Sequence, residues 1–226
     1  MSDQETDNQV KPTAEPTVGN SIAKNSVLLG VFALITAALL SGTYSATAER
    51  IAAAERANAQ KALLQVIPLD RHNNDLLETT QTIDEKYWQP LGLKQGGNLH
   101  IAQQDEESVA VIYPATAPDG YSGDIKMIVG INRDGTIAGV RILSHAETPG
   151  LGDKIDLAKS DWILGFNGKS LQSANWAVKK DGGEFDAFAG ATITPRAVVN
   201  QIKRALKVYQ DSLPLAAVDT QEASES

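Results

Sequence analysis

The sequence predicts an α+β domain with a mostly antiparallel sheet and flanking helices, set behind a single N-terminal transmembrane helix. Residues 25–48 contain no charged side chain, the signature of a membrane span. Residues 124–132 and 136–143 are apolar-rich runs flanking Arg133-Asp134-Gly135, which reads as a β-hairpin with a glycine-containing turn. After Thr194-Pro195, residues Val198, Val199, Ile202, Leu206 and Tyr209 recur on one face at helical spacing. Strands and helices that meet without a regular βαβ alternation argue against a parallel sheet.

Composition sets the outer limits. A chain of 226 residues with 42% hydrophobic content supports one soluble domain plus a membrane segment, and hardly two large cores. The formal charge of −8 comes without a basic stripe, so the electrostatic footprint of a nucleic-acid binder is missing. No Walker or dinucleotide glycine fingerprint is present, which argues against nucleotide hydrolysis. With no cysteine, disulfides, Cys-ligated iron–sulfur clusters and thiol nucleophiles are excluded, and any redox chemistry needs an added cofactor.

Residues 1–24 are rich in Asp, Glu, Asn, Gln, Thr and Pro and are expected to form a disordered tail. As a helix, 25–48 would reach about 36 Å, against a hydrocarbon core of about 30 Å. The rival reading is a cleaved signal peptide, because the strongly apolar part is confined to 27–40 and Ala46-Thr47-Ala48 resembles a cleavage site. Against cleavage, the region before it is long and acidic. Lys11 and Lys24 precede the span while Arg50, Arg56 and Lys61 follow it, so the charges do not set an orientation. Residues 49–66 are Ala-rich with good helix formers and end before Pro68, which predicts a stalk helix at the head of a linker reaching residue 95. Within that linker, 73–93 has a mixed pattern compatible with a second short helix. The main domain is expected over 96–212, with an alternating strand at 109–113 and another at 174–179. Between them, Trp162, Ile163, Leu164 and Phe166 form an apolar cluster read as a short helix or an edge. Residues 213–226 read as a disordered acidic tail.

The segment richest in chemical information is Asp186-Ala-Phe-Ala-Gly-Ala-Thr192-Ile-Thr-Pro195. Thr194 reads as an N-cap and Pro195 as the first helical residue. Gly190 and Ala191 strip bulk from beside Thr192, and the helix's first-turn N–H groups and dipole would favour an anion there. Read plainly, the same residues describe only a turn and a helix cap.

This segment resembles the Asp-x-x-(Ser/Thr)-Gly-Ala-(Thr/Ser) motif of proteins that receive covalent FMN from an ApbE-type flavin transferase. Position by position, Asp186 matches the acidic residue, Gly190 and Ala191 the small pair, and Thr192 the hydroxyl that forms the phosphoester. Ala189 stands where Ser or Thr is usual. That departure resembles the RnfG/RsxG family of Rnf/Rsx electron transport complexes more than the flavin-bearing relative in the Na⁺-translocating NADH:quinone reductase. A second stretch, His145-Ala-Glu-Thr-Pro-Gly-Leu-Gly152, is similar to the same family in the same order along the chain. The residues of this stretch alone also allow a structural loop, or half a metal site from His145 and Glu147. The latter is disfavoured because His72 and His100 sit far off without ligand spacing. The resemblance implies that His145, Glu147 and Thr148 lie near the flavin, without a catalytic role. Trp88, Trp162 and Trp176 are treated as core aromatics.

Together these resemblances imply an inner-membrane, single-pass protein with its C-terminal domain in the periplasm. FMN on Thr192 would relay electrons in a multi-subunit complex that couples electron flow to ion translocation. The transferase and the other complex subunits are the implied partners, while catalytic residues, a metal and nucleic acid are not expected. A membrane-anchored, cofactor-free binding or scaffold domain is the alternative.

Overall fold

The computed structural model describes residues 18–216, and the chain divides into two compact units, Met1–Glu55 and Arg56–Ser226. The described part of the first unit belongs to helix α1, Val18–Val66. Within it, Ile22–Ala48 is long and apolar enough to cross a membrane, reaching about 40 Å as a helix. Its large apolar side chains, Leu28, Leu29, Phe32, Leu34, Leu39 and Leu40 among them, are exposed. The Thr36, Thr43 and Thr47 hydroxyls donate to the carbonyls of Phe32, Leu39 and Thr43 at 2.9, 2.8 and 2.8 Å, so they demand nothing of an apolar surrounding. The described part of α1 runs from Val18, so residues 18–24 of the expected tail are helical. The rest of the expected N-terminal tail, and residues 217–226 at the other end, lie outside the described residues.

The second unit is a five-stranded antiparallel meander in the order β1-β2-β3-β4-β5. Its strands are β1 Thr80–Thr82, β2 Asn98–Gln104, β3 Glu107–Gly120, β4 Gly123–Asn132 and β5 Ile137–Ser144. A four-residue helix, α2 Trp88–Leu91, precedes β2, and the long helix α3, Ile193–Ala216, closes the fold.

Alternation along β3 and β4 splits the core into two layers. Tyr113, Ala115, Ala117, Ile125, Met127, Val129 and Ile131 pack with Val198, Val199, Ile202 and Leu206 of α3. On the opposite face, Ala110, Ile112 and Ile128 pack with Leu63, Val66 and Ile67 at the end of α1. The sheet is therefore covered on both sides.

The hairpin and the amphipathic helix agree with expectation, and so does the apolar cluster, since residues 161–166 form a short 3₁₀ helix whose Ile163 and Phe166 are buried. Two elements differ. The segment 174–179 is not a strand: Trp176 and Val178 are buried in alternation, but the chain folds back on itself. Phe185 N–H donates to Ala177 at 3.2 Å and Lys179 N–H to Phe185 at 2.7 Å, leaving a single bridge, Val178 with Phe185. At the C-terminus, residues 213–216 belong to α3 rather than to a tail. Ser212 holds the preceding turn, its Oγ lying 3.0 Å from the Tyr209 carbonyl and 2.9 Å from the Tyr113 hydroxyl.

Candidate functional site

The start of α3 is built by a tight turn. Ala191 N–H donates to the Phe188 carbonyl at 3.1 Å, and Gly190 at the third position has φ +82°, the left-handed geometry of a type II turn that glycine adopts without strain. Thr192 follows as the residue before the helix, and its carbonyl accepts from Arg196 N–H at 3.4 Å. The helix thus begins two residues earlier than Thr194-Pro195 suggested. Pro195 occupies the third helical position, where its missing N–H costs nothing because first-turn donors have no carbonyl one turn back. Thr194 is not a cap: it is wholly buried, and its hydroxyl donates to Glu147 Oε2 at 2.5 Å.

Glu147 joins three loops. Its carboxylate is buried, with Oε2 on Thr194 and Oε1 accepting from Ser122 N–H at 3.0 Å in the β3–β4 turn. Its own N–H donates to His145 Nδ1 at 3.0 Å. That bond assigns the hydrogen of His145 to Nε2, which faces Asp156 Oδ2 at 3.3 Å. The chain then turns at Thr148, whose carbonyl accepts from Leu151 and Gly152 N–H at 3.1 Å each. Gly152 passes so close to the network that a Cβ there would lie 2.8 Å from Glu147 Oε2 and 2.9 Å from Thr194 Oγ1. The two motif segments, 47 positions apart at Glu147 and Thr194, are in direct contact.

Between them opens a cavity of about 380 Å³, within the range of small-molecule sites. Thr148, Gly190, Ala191 and Thr192 line it along with Tyr121, Leu151 and Ile193. These last three are large apolar side chains left 68%, 43% and 45% exposed, so the mouth is apolar. Glu147 forms part of the wall with its oxygens turned to Ser122 and Thr194. His145 stands behind Glu147, outside the lining. Asp186 also lies outside it, exposed and paired with Lys179 at 2.7 Å, while its carbonyl accepts from Trp162 Nε1 at 2.9 Å. Among the described residues no tryptophan lines the cavity.

Charges gather at the Thr192 end. Arg196, in the first turn of α3, grips Asp181 with two bonds of 2.6 and 2.9 Å. The Arg196 hydrogen bonds hold the Asp181 carboxyl below the usual carboxylate range, and Asp181 in turn raises Arg196. Lys180 is placed differently: among the described residues it makes no ion pair, and its Nζ donates to Thr192 Oγ1 at 2.9 Å. Sequence reasoning singled out neither Lys180 nor the apolar trio of Tyr121, Leu151 and Ile193. Lys180 reaches Thr192 only through the fold-back at 177–185, which carries no local sequence signal.

A phosphate ester at Thr192 fits this chemistry. The hydroxyl sits at a helix start with a cation on it, and the first-turn N–H groups of Ile193 and Thr194 have no helical acceptor. The neighbouring cavity has room for a ring system.

Residues 120–207 match the FMN-binding domain family, so the chain contains an FMN-binding domain. Residues 14–66 match the RnfG N-terminal region. The chain is 46% identical over 190 residues to the G subunit of the ion-translocating oxidoreductase complex of Vibrio cholerae, covering 83% of this chain and 90% of that protein. It is 47% identical over 202 residues to the G subunit from Vibrio atlanticus, covering 88% and 95%. With that of Haemophilus influenzae it shares 46% over 203 residues, covering 88% and 96%. The chain belongs to the family of G subunits of ion-translocating oxidoreductase complexes.

Proposed function

We propose that this chain is an electron-transfer flavoprotein subunit of a membrane-bound, Rnf/Rsx-type ion-translocating complex, with FMN joined through its phosphate to the Thr192 hydroxyl. The observation that carries the attachment site is the position of Thr192. It lies at the cavity edge with Lys180 on its oxygen, inside the segment that matches the FMN-binding family. Thr194, the neighbouring threonine, is sealed against Glu147 and offers no accessible hydroxyl.

Bound FMN supplies one- and two-electron redox chemistry. The polypeptide anchors, orients and shelters it. Thr192 is an attachment point rather than a catalyst, and the α3 dipole contributes about 0.3–1 kcal/mol toward holding the phosphodiester charge in place. Tyr121, Leu151 and Ile193 offer apolar surface to a planar ring, and the Glu147–Thr194–Ser122 network holds the cavity walls in register.

In this reading 25–48 is the inner-membrane anchor and 49–95 a stalk and linker. The FMN-binding domain, 96–212, stands in the periplasm. The match of 14–66 to the RnfG N-terminal region favours a retained helix over a cleaved signal. A covalent link suits that compartment, since mass action could not keep a weakly held cofactor in place there. An ApbE-type transferase installs the flavin, and the other complex subunits exchange electrons with it. Thr192→Ala tests the assignment: the variant should fold and insert normally but show no flavin fluorescence in a denaturing gel. A fluorescent Thr192→Ala band would overturn the attachment site.

A further inference from the structure

Lys180 is a cation on the Thr192 hydroxyl that the family resemblance does not mark. Three cations lie near the start of α3, and two are already matched: Lys179 with Asp186 at 2.7 Å, and Arg196 with Asp181 at 2.6 and 2.9 Å. Only Lys180 places its ammonium on the Thr192 oxygen, at 2.9 Å. It extends from the 3₁₀ turn Lys179–Asp181, just before the fold-back at Gly182. Ammonium groups bind phosphate as point charges without a fixed fork, so the geometry suits a phosphorus centre that changes its bonding.

We infer that Lys180 positions the phosphoryl group for ester formation at Thr192 and neutralises the diester that results. The inference rests on the reading of Thr192 as the acceptor. The reaction it serves balances with FAD as donor. The Thr192 Oγ1–phosphorus bond forms at the FMN-side phosphate as the pyrophosphate P–O bond breaks. AMP leaves, and the threonine proton passes to a base of the transferase. In the acceptor state Lys180 donates to the hydroxyl; as the donor arrives, its charge attracts the anionic phosphoryl oxygens beside that hydroxyl. Because Lys180 is exposed, its contribution is felt mainly in the encounter with the dianionic donor and weakens with salt.

The test uses the full-length protein in detergent with purified transferase, Mg²⁺ and FAD. Covalent flavin is followed by fluorescence in denaturing gels and assigned to a residue by peptide mass spectrometry. At limiting FAD, Lys180→Met should label Thr192 about tenfold more slowly than the unaltered chain, in line with loss of one charge-assisted contact. Lys180→Arg should restore most of the rate. Rising ionic strength should slow the unaltered chain and Lys180→Arg, and leave Lys180→Met nearly unaffected. Equal rates and equal salt dependence for Lys180→Met and the unaltered chain would overturn the role of Lys180 while leaving the acceptor assignment intact. So would Lys180→Arg as slow as Lys180→Met. Failure of the unaltered chain to take flavin on Thr192 would remove both readings.

Discussion

Replacing Thr194 by valine tests whether the buried network holds the site together. The side chain is fully buried and donates to the Glu147 carboxylate at 2.5 Å. Valine keeps the shape and the β-branch but leaves Glu147 Oε2 without its donor. Leaving a buried acceptor without its donor costs roughly 1–3 kcal/mol. The expected loss is about 2 kcal/mol, or about 4–8 °C in Tm for a domain of this size. Thr194→Ser, by contrast, keeps the donor and removes one methyl, a loss of about 0.8 kcal/mol. Urea unfolding of the full chain in detergent, followed by fluorescence of the core residues Trp162 and Trp176, measures both. Valine should be the more damaging substitution. Equal destabilisation by valine and serine would show that packing, not the hydroxyl, matters at this position.

Gly190→Ala forces a left-handed φ of +82° on a residue with a Cβ, and should cost about 1–2 kcal/mol; a denaturation midpoint unchanged from that of the parent chain would contradict the turn. Gly152→Ala brings a Cβ within 2.8 Å of Glu147 Oε2 without backbone strain at its φ of −84°, so overpacking alone should destabilise by about 1–3 kcal/mol, read by the same unfolding assay. Acid should destabilise the domain. Asp134 is held down by hydrogen bonds from Thr136, Asp181 by Arg196 and Glu184 by Lys169. Each therefore contributes stability above the unfolded carboxyl range near pH 4, lost as pH falls through the lowered folded value. Urea midpoints should drop as pH falls below about 4, less so in Asp134→Asn; a flat profile would refute the assignment.

Legibility in the sequence followed how local each signal was. The β4–β5 hairpin was readable because Arg133-Asp134-Gly135 closes it locally. The Thr136 N–H and hydroxyl both bond Asp134 Oδ1, at 2.9 and 2.7 Å. The β2–β3 turn was not, because Asp105 and Glu106 adopt positive φ without glycine, supported from a distance by Asn73 bonds of 2.9 and 3.2 Å to Asp105. β1 is only three residues long, and β2, Asn-Leu-His-Ile-Ala-Gln-Gln, is half polar. Segment 174–179 shows the opposite failure, since its period-two burial is real but no neighbouring strand is there to receive it.

The site divides in the same way. Thr192, Gly190, Ala191, Glu147 and Thr148 were legible through short motifs, and all of them line the cavity. His145 was legible as a neighbour but supports Glu147 from behind, and Asp186 turns outward to Lys179. Lys180, Ser122 and Tyr121 reach the site through the sheet and the fold-back, contacts that no local pattern encodes.

The most direct test of covalent flavin on Thr192 is peptide mass spectrometry of the membrane-extracted protein from cells shown to contain the transferase. The tryptic peptide spanning residues 181–196 holds two threonines, Thr192 and Thr194. It should carry FMN less one water, localised to Thr192. An unmodified peptide, or flavin on Thr194, would contradict that attachment.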